Sequence, residues 1–201
     1  MKHLYESDKI EIISRIESLL ATIEGRLLPT FDAIENEAKN VEEEELARLS
    51  RNFDPDRMDE AEVYERAFHA GVEHYSVHSD MKREFLKSSA VWLFHLFEKD
   101  CTYIFNTEDG NEKKRVLSQL CLDISDSSDW FKCNRELRLL ANAIKHGAGN
   151  SLDKLKEVRP DLFSEKFSMF SDDKVELSSG DISGYGDSMK KFWMSFFDAA
   201  L

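Results

Sequence analysis

Turn-forming residues are scarce in this chain, whose 201 residues include only eight glycines and three prolines. A β-sandwich, a barrel or a wound α/β sheet needs many tight connections, and those connections rely on glycine and proline. The hydrophobic fraction of 41% is large enough to bury a core. The composition therefore predicts a folded all-α protein, and the length fits one domain or one domain with a small appendage.

Acidic residues outnumber basic residues by 40 to 27, which gives a formal net charge of −13. This charge disfavours indiscriminate binding to nucleic acid or to an anionic membrane, so a polyanion would have to meet a local basic patch. Cys101, Cys121 and Cys133 form no C-x-x-C pair, which is typical of a reducing compartment. We expect a cytoplasmic protein without a signal peptide or a membrane span, because charged residues interrupt every apolar run.

Apolar residues recur at intervals of three and four along most of the chain, which is the spacing of one helix face. The longer helices predicted from this spacing cover residues 8–28, 30–50, 58–77, 81–105, 113–123 and 130–146. Ser79 or Asp80 is expected to cap the helix over 81–105. We interpret this aromatic-rich helix as central and mostly buried, with His95 as a packed core histidine.

The C-terminal segment has a different pattern. The apolar residues of Phe167–Ser178 flank a polar turn and predict a small β-hairpin. A final amphipathic helix is predicted after Gly180 and Gly184, and its apolar face carries Phe192, Trp193, Phe196 and Phe197. The sequence thus divides into a helical bundle over 1–160, which carries the candidate site, and a hairpin-helix appendage over 161–201 packed on the same domain.

The predicted helix over 130–146 carries the clearest chemical pattern. Arg138, Asn142 and His146 recur every fourth residue, so they share one polar face opposite an apolar stripe. Arg135 and Lys145 flank this face. Metal-free phosphoryl transfer on RNA needs an imidazole that moves protons and a guanidinium that holds phosphate. The pattern therefore predicts a catalytic face of Arg138, Asn142 and His146, with Arg135 and Lys145 binding substrate.

The local charge favours this interpretation. Between Phe131 and Pro160, seven Lys and Arg stand against three Asp and Glu, a net charge of +4 that leaves −17 for the rest of the chain. The same pattern has a structural interpretation, because any amphipathic surface helix shows polar residues opposite its apolar stripe. The helix dipole also favours a histidine near a C-terminus. Both interpretations stay open at this point.

Two further histidines, His74 and His78, are four residues apart, and this spacing can bind Zn²⁺ from one helix face. Neither a cysteine nor another histidine completes a recognisable metal-binding pattern, and Glu73 does not make H-E-x-x-H. We therefore interpret them as ordinary surface or interface histidines. The sequence predicts no metal and no cofactor.

The motif Asn-x-x-Lys-His-Gly at residues 142–147 follows a long aromatic-rich helix that carries Glu98 and Asp100. This arrangement resembles the HEPN family of helical bundles, which occurs in bacterial toxins, antiviral effectors and CRISPR ribonucleases. The resemblance implies an Arg, often followed directly by Asn, that is separated from a His by a gap of four to six residues. It also implies two protomers that build one metal-independent ribonuclease site. Here Ala141 precedes Asn142, and Arg138 lies a turn earlier than the family's Arg.

The favoured hypothesis is a HEPN-like endoribonuclease of the toxin or phage-defence kind. The resemblance implies a homodimer, an RNA substrate, a supporting role for Glu98 and an antitoxin or defence-system protein as partner. A surplus of aromatic residues beyond the core would line the dimer interface. The alternative is a non-catalytic helical module that dimerises or binds a partner, which Ala141 favours, whereas the basic segment favours the enzyme.

Overall fold

A computed structural model describes residues 2–57, 59–163 and 175–201, and helices account for 81% of the residues it describes. This confirms the predicted all-α class. The α-helices are α1 Glu6–Thr22, α2 Ile34–Arg51, α3 Glu60–Phe105, α4 Gly110–Gln119, α5 Asp129–Phe131, α6 Leu137–His146, α7 Asn150–Val158 and α8 Ser179–Ala200. In the part of the chain described, no helix has the length and apolar character needed to cross a membrane.

The chain forms two compact units. The first combines residues 1–23 with 86–201, and the second comprises residues 24–85. These units divide the chain differently from the predicted segments 1–160 and 161–201. Helix α8 supplies a large part of the first unit's core.

An aromatic cluster forms the core of the first unit. Phe97 and Phe105 of α3 meet Trp130 and the aromatic face of α8, with ring centroids 4.9–6.4 Å apart. Aromatic residues bury large areas and pair in tilted or edge-to-face geometry, which stabilises such a cluster. The predicted surplus on α8 is therefore absent, because Phe192, Trp193, Phe196 and Phe197 are all buried within the chain.

Helix α1 packs against α8 at a close approach between Leu20 and Gly186. A Cβ atom built on Gly186 would lie 2.4 Å from Cδ2 of Leu20, so only glycine fits this contact without a shift. The apolar face of α1 includes Ile12 and Ile16, which are both buried. The two ends of the chain therefore share one core.

Arg159 joins the end of α7 to the start of α8. Its guanidinium donates hydrogen bonds to Asp161, to Asp181 at 2.8 Å and to the Tyr185 hydroxyl at 2.8 Å. It also lies 3.7 Å from the buried carboxylate of Glu136. Burial raises the pKa of Glu136 and Arg159 opposes this, so the guanidinium offsets part of the cost of burying that carboxylate.

The second unit is an antiparallel helical pair made by α2 and the first part of α3. Phe31, just before α2, contacts Phe85, and Ala38 of α2 lies against Gly71. Residue numbers therefore rise along one helix as they fall along the other. A Cβ atom on Gly71 would lie 2.9 Å from the backbone oxygen of Ala38, so the absence of a side chain there lets the two helices approach closely.

Helix α3 runs without interruption from Glu60 to Phe105, so the predicted helix start at Ser79 or Asp80 is wrong. Neither residue breaks a helix, and the Asp80 carboxylate accepts a hydrogen bond from Arg83 at 2.7 Å instead of capping. The segment 81–105, which was predicted to be mostly buried, is buried on one face only: Leu86, Leu93 and Phe97 lie in the core, whereas Trp92 and Tyr103 are 45% and 50% exposed.

Most of the predicted β-hairpin lies outside the described residues, which resume at Val175. In the part of Phe167–Ser178 that is described, no strand is seen, and an isolated antiparallel bridge pairs Val175 with Phe163. The final amphipathic helix is confirmed, but it starts at Ser179. Ser178 and Asp181 form its capping box, which satisfies backbone N–H groups of the first turn.

Asp100 is buried beside Arg15 of α1. The guanidinium donates a hydrogen bond to Oδ1 at 2.6 Å, and the carboxylate is 1% exposed. Oδ2 has no hydrogen-bond partner among the described residues. Burial raises the pKa of Asp100 from 3.8 to about 6, and the charge of Arg15 opposes this shift.

This burial gives a testable pH dependence. Because the folded-state pKa lies above 3.8, the native state holds the proton more tightly than the unfolded state, so stability rises as pH falls through 6 towards 4. Between about pH 7.5 and about pH 5, this group should add about 1.4 kcal/mol to the free energy of unfolding. Urea unfolding of the wild type and Asp100→Asn at both pH values measures the difference, and parallel pH profiles would contradict it.

Candidate functional site

The chain from Asp129 to His146 follows one continuous helical path. Ser128 begins it by accepting a hydrogen bond from the backbone N–H of Phe131 at 3.1 Å. A single π-helical turn over Lys132–Glu136 then joins α5 to α6. Such turns fit one more residue than an α-helical turn and occur often at functional sites.

The two faces of this helical run separate as the sequence predicts. Cys133, Leu137 and Leu140 are fully buried, so the apolar stripe is confirmed at these positions. Arg138 and His146 are exposed and Asn142 is half-buried, so the predicted polar residues lie away from the core. Ala141 is also fully buried, so an arginine at this position would have to enter the core.

A cleft of about 1060 Å³ lies beside this helix in the first unit. Its walls come from four places in the chain: residues 94–103 of α3, residues 108–114 at the start of α4, Ile124 with Asp126, and residues 130–138 of the helical run. The half-buried ring of Phe131 lies on one wall. The cleft is therefore assembled from segments that are far apart in sequence.

The charged residues that line the cleft are mainly basic. They are Lys99, Lys113, Lys114, Arg135 and Arg138, against Glu98, Glu108 and Asp126. In a chain of net charge −13, this is a local reversal of sign. A concave surface of one charge raises the local concentration of an oppositely charged ligand. The cleft thus suits an anion.

An imidazole and a carboxylate meet at the edge of this cleft. Nδ1 of His95 lies 3.6 Å from Oε2 of Glu98, one turn later in α3, and both side chains line the cleft. The His95 side chain is 52% exposed, so the prediction of a packed core histidine is wrong. Val91, Leu93 and Phe94 surround His95 in the sequence, and this apolar context hid a polar position on the helix.

The cleft collects three of the six residues selected from the sequence, namely Glu98, Arg135 and Arg138. Asn142, Lys145 and His146 are not among the residues that line it. Lys145 instead places its ammonium 5.7 Å from the centroid of the Phe94 ring. Since a helix rises about 1.5 Å per residue, Arg138 and His146 are about 12 Å apart along α6. Of these two residues, Arg138 lines the cleft and His146 does not.

The two acidic residues that contribute to the family resemblance, Glu98 and Asp100, lie in different surroundings. Glu98 faces the cleft with its side chain 57% exposed, whereas Asp100 points into the protein towards Arg15. Only Glu98 is placed to act with the cleft residues.

Comparison of the chain with protein-family models, with curated proteins and with solved structures finds no match.

Proposed function

We propose that the cleft binds single-stranded RNA and cleaves it without a metal ion. One observation carries the proposal: two guanidiniums, those of Arg135 and Arg138, share a concave surface with the His95–Glu98 pair. Guanidiniums bind phosphate through charge-assisted hydrogen bonds and stabilise the charge of a phosphorane. An imidazole transfers protons near neutral pH. The ring of Phe131 offers a surface on which a base can stack.

The reaction follows from these groups. His95 accepts the proton of the ribose 2′-hydroxyl, and the 2′-oxygen attacks the neighbouring phosphorus as the bond to the 5′-oxygen breaks. Solvent returns a proton to the departing oxygen, so the products are a 2′,3′-cyclic phosphate and a 5′-hydroxyl end. Glu98 orients the imidazole and balances the positive charge that it gains. Arg138 and Arg135 hold the phosphate oxygens throughout.

This proposal keeps the HEPN-like activity expected from the resemblance and moves the proton-transfer group from His146 to His95. A toxin or phage-defence setting, with an antitoxin or defence-system protein as partner, is part of the same proposal. The resemblance implies a homodimer in which both protomers build the site, and His146 of one protomer would then act at the cleft of the other. That arrangement gives His146 a separate, testable role.

A non-catalytic interaction module is the second candidate. An exposed apolar stripe in the second unit supports it, since four large side chains of α3 at helical spacing are each 45–55% exposed: Tyr64, Phe68, Val72 and Tyr75. Contiguous exposed apolar residues are typical of protein-binding surfaces. Ala141 also favours this candidate. It precedes Asn142, where the family often has its Arg, and it is fully buried, so this position presents no side chain at the surface.

Incubation of the purified protein with a 5′-labelled single-stranded RNA in excess EDTA tests the first proposal. We expect cleavage to continue in EDTA and to leave 2′,3′-cyclic phosphate ends. A matched oligodeoxynucleotide lacks the 2′-hydroxyl and should not be cut. A folded protein that leaves the RNA intact would overturn the enzyme proposal in favour of the interaction module, and cleavage stopped by EDTA would contradict the metal-free mechanism.

A further inference from the structure

A second group of chemically active side chains lies in the second unit, whereas the residues proposed to cleave RNA belong to the first unit. His74 and His78 of α3 stack with ring centroids 4.1 Å apart and an interplanar angle of 25°. Glu37 of α2 places Oε2 3.5 Å from Nε2 of His74. One ligand atom from each of these three residues lies within 4.8 Å of the others. Two helices therefore contribute to one cluster.

One nitrogen of the cluster lacks a hydrogen bond. Nε2 of His74 is buried and has no hydrogen-bond partner among the described residues, although Glu37 lies nearby. A buried polar atom without a partner costs free energy, so its persistence needs an explanation. A cation between the two imidazoles and the carboxylate would give this nitrogen a ligand bond and would balance the Glu37 charge.

The donor set selects the kind of ion. Two imidazole nitrogens and one carboxylate oxygen form a ligand set that binds Zn²⁺ with one coordination position left for water. Zn–ligand bonds of about 2.0–2.1 Å in tetrahedral geometry place ligand atoms about 3.4 Å apart. The three side chains reach this spacing by small rotamer changes, since their ligand atoms already lie within 4.8 Å.

The backbone holds the ligands in place. Gly71 lies one turn before His74 and allows the close contact with Ala38, the residue after Glu37. Rigid helices fix the distance between His74 and His78, because residues four apart lie on one helix face. Local spacing around His74 and His78 indicates no third ligand, because Glu37 comes from a different helix, 37 positions before His74.

We propose that Glu37, His74 and His78 bind one divalent transition-metal ion, with Zn²⁺ as the preferred ion, and that the ion links α2 to α3. This site is independent of the proposed cleavage of RNA, which needs no metal. Its consequence is a second unit that becomes more stable when the ion binds, because an ion that binds only the folded state shifts the unfolding equilibrium.

Titration calorimetry with ZnCl₂ on the full chain, after removal of metals with EDTA and dialysis, tests the site. We expect one ion per chain in the wild type. His74→Ala and His78→Ala should each weaken binding by about 100-fold or more, since each removes one of three protein ligands. His69→Ala is the matched control: His69 lies on the same helix beside Glu65 and is not part of the cluster, so binding should not change.

A second measurement guards against variants that fail to fold. Circular dichroism melting with and without ZnCl₂ should show a rise in midpoint for the wild type and for His69→Ala, and no rise for Glu37→Gln or His78→Ala. The proposal is overturned if the wild type binds no Zn²⁺, or if the His74 and His78 variants bind it as tightly as the wild type. RNA cleavage in EDTA is measured separately, so the two proposals fail independently.

Discussion

Replacing His95 by alanine should reduce the rate of RNA cleavage by about 10²–10⁴-fold, the contribution of a positioned proton-transfer group. The side chain is 52% exposed and contacts Glu98, so its removal leaves the core intact. The helical spectrum and the thermal midpoint should therefore stay close to those of the wild type. Arg138→Ala should cause a similar loss, because its guanidinium stabilises the charged transition state.

His146→Ala is the discriminating control for this prediction. His146 is exposed at the end of α6 and does not line the cleft, so its loss should leave cleavage within a few-fold of the wild type if the site lies within one chain. If His146→Ala abolishes cleavage and His95→Ala does not, the site is the composite one implied by the HEPN resemblance. Mixing His146→Ala with Arg138→Ala protomers would then restore activity.

Arg159→Ala should lower the free energy of unfolding by about 3 kcal/mol or more, because it strips partners from buried acidic groups. Glu136 is buried and Asp181 is only 19% exposed, and both would be left without the guanidinium that faces them. The Tyr185 hydroxyl would lose its hydrogen-bond donor as well. Equilibrium unfolding in urea measures the change.

The matched control is Asp161→Asn. Its carboxylate binds the same guanidinium but is 59% exposed, and exposed ion pairs contribute about 0–1 kcal/mol. A small effect at Asp161 beside a large one at Arg159 would show that burial, not the number of ion pairs, sets the contribution. Equal and small effects at both positions would contradict the argument.

Much of the fold follows from local sequence rules. The scarcity of glycine and proline and the helical spacing of apolar residues predict the all-α class, and the buried stripe at Cys133, Leu137 and Leu140 lies where the spacing places it. The continuity of α3 past Ser79 and Asp80 does not follow from those rules, because both residues are favourable at a helix start and also tolerated inside a helix.

The site was harder to predict than the fold. The residues of the cleft are separated by up to 44 positions, from Phe94 to Arg138, so no local pattern joins them. His95 carries no sequence signal, because apolar residues surround it along the chain. The pairing of Glu37 with His74 depends on how α2 packs on α3, which a helical period does not encode. The assembly of the cleft, the exposure of His95 and the pairing of Glu37 with His74 all depend on tertiary packing.

The π-helical turn over Lys132–Glu136 gives the cleft a property of its own. Its hydrogen bonds run from residue i to residue i+5, so the turn takes up one additional residue and α6 keeps the side-chain directions of an uninterrupted helix. Deleting one residue within the turn should therefore restore regular α-helical winding and leave Arg138 facing the cleft, whereas a deletion within α6 would rotate every later side chain by about 100°. The turn is thus a position at which the chain length can change by one residue while every cleft side chain keeps its place.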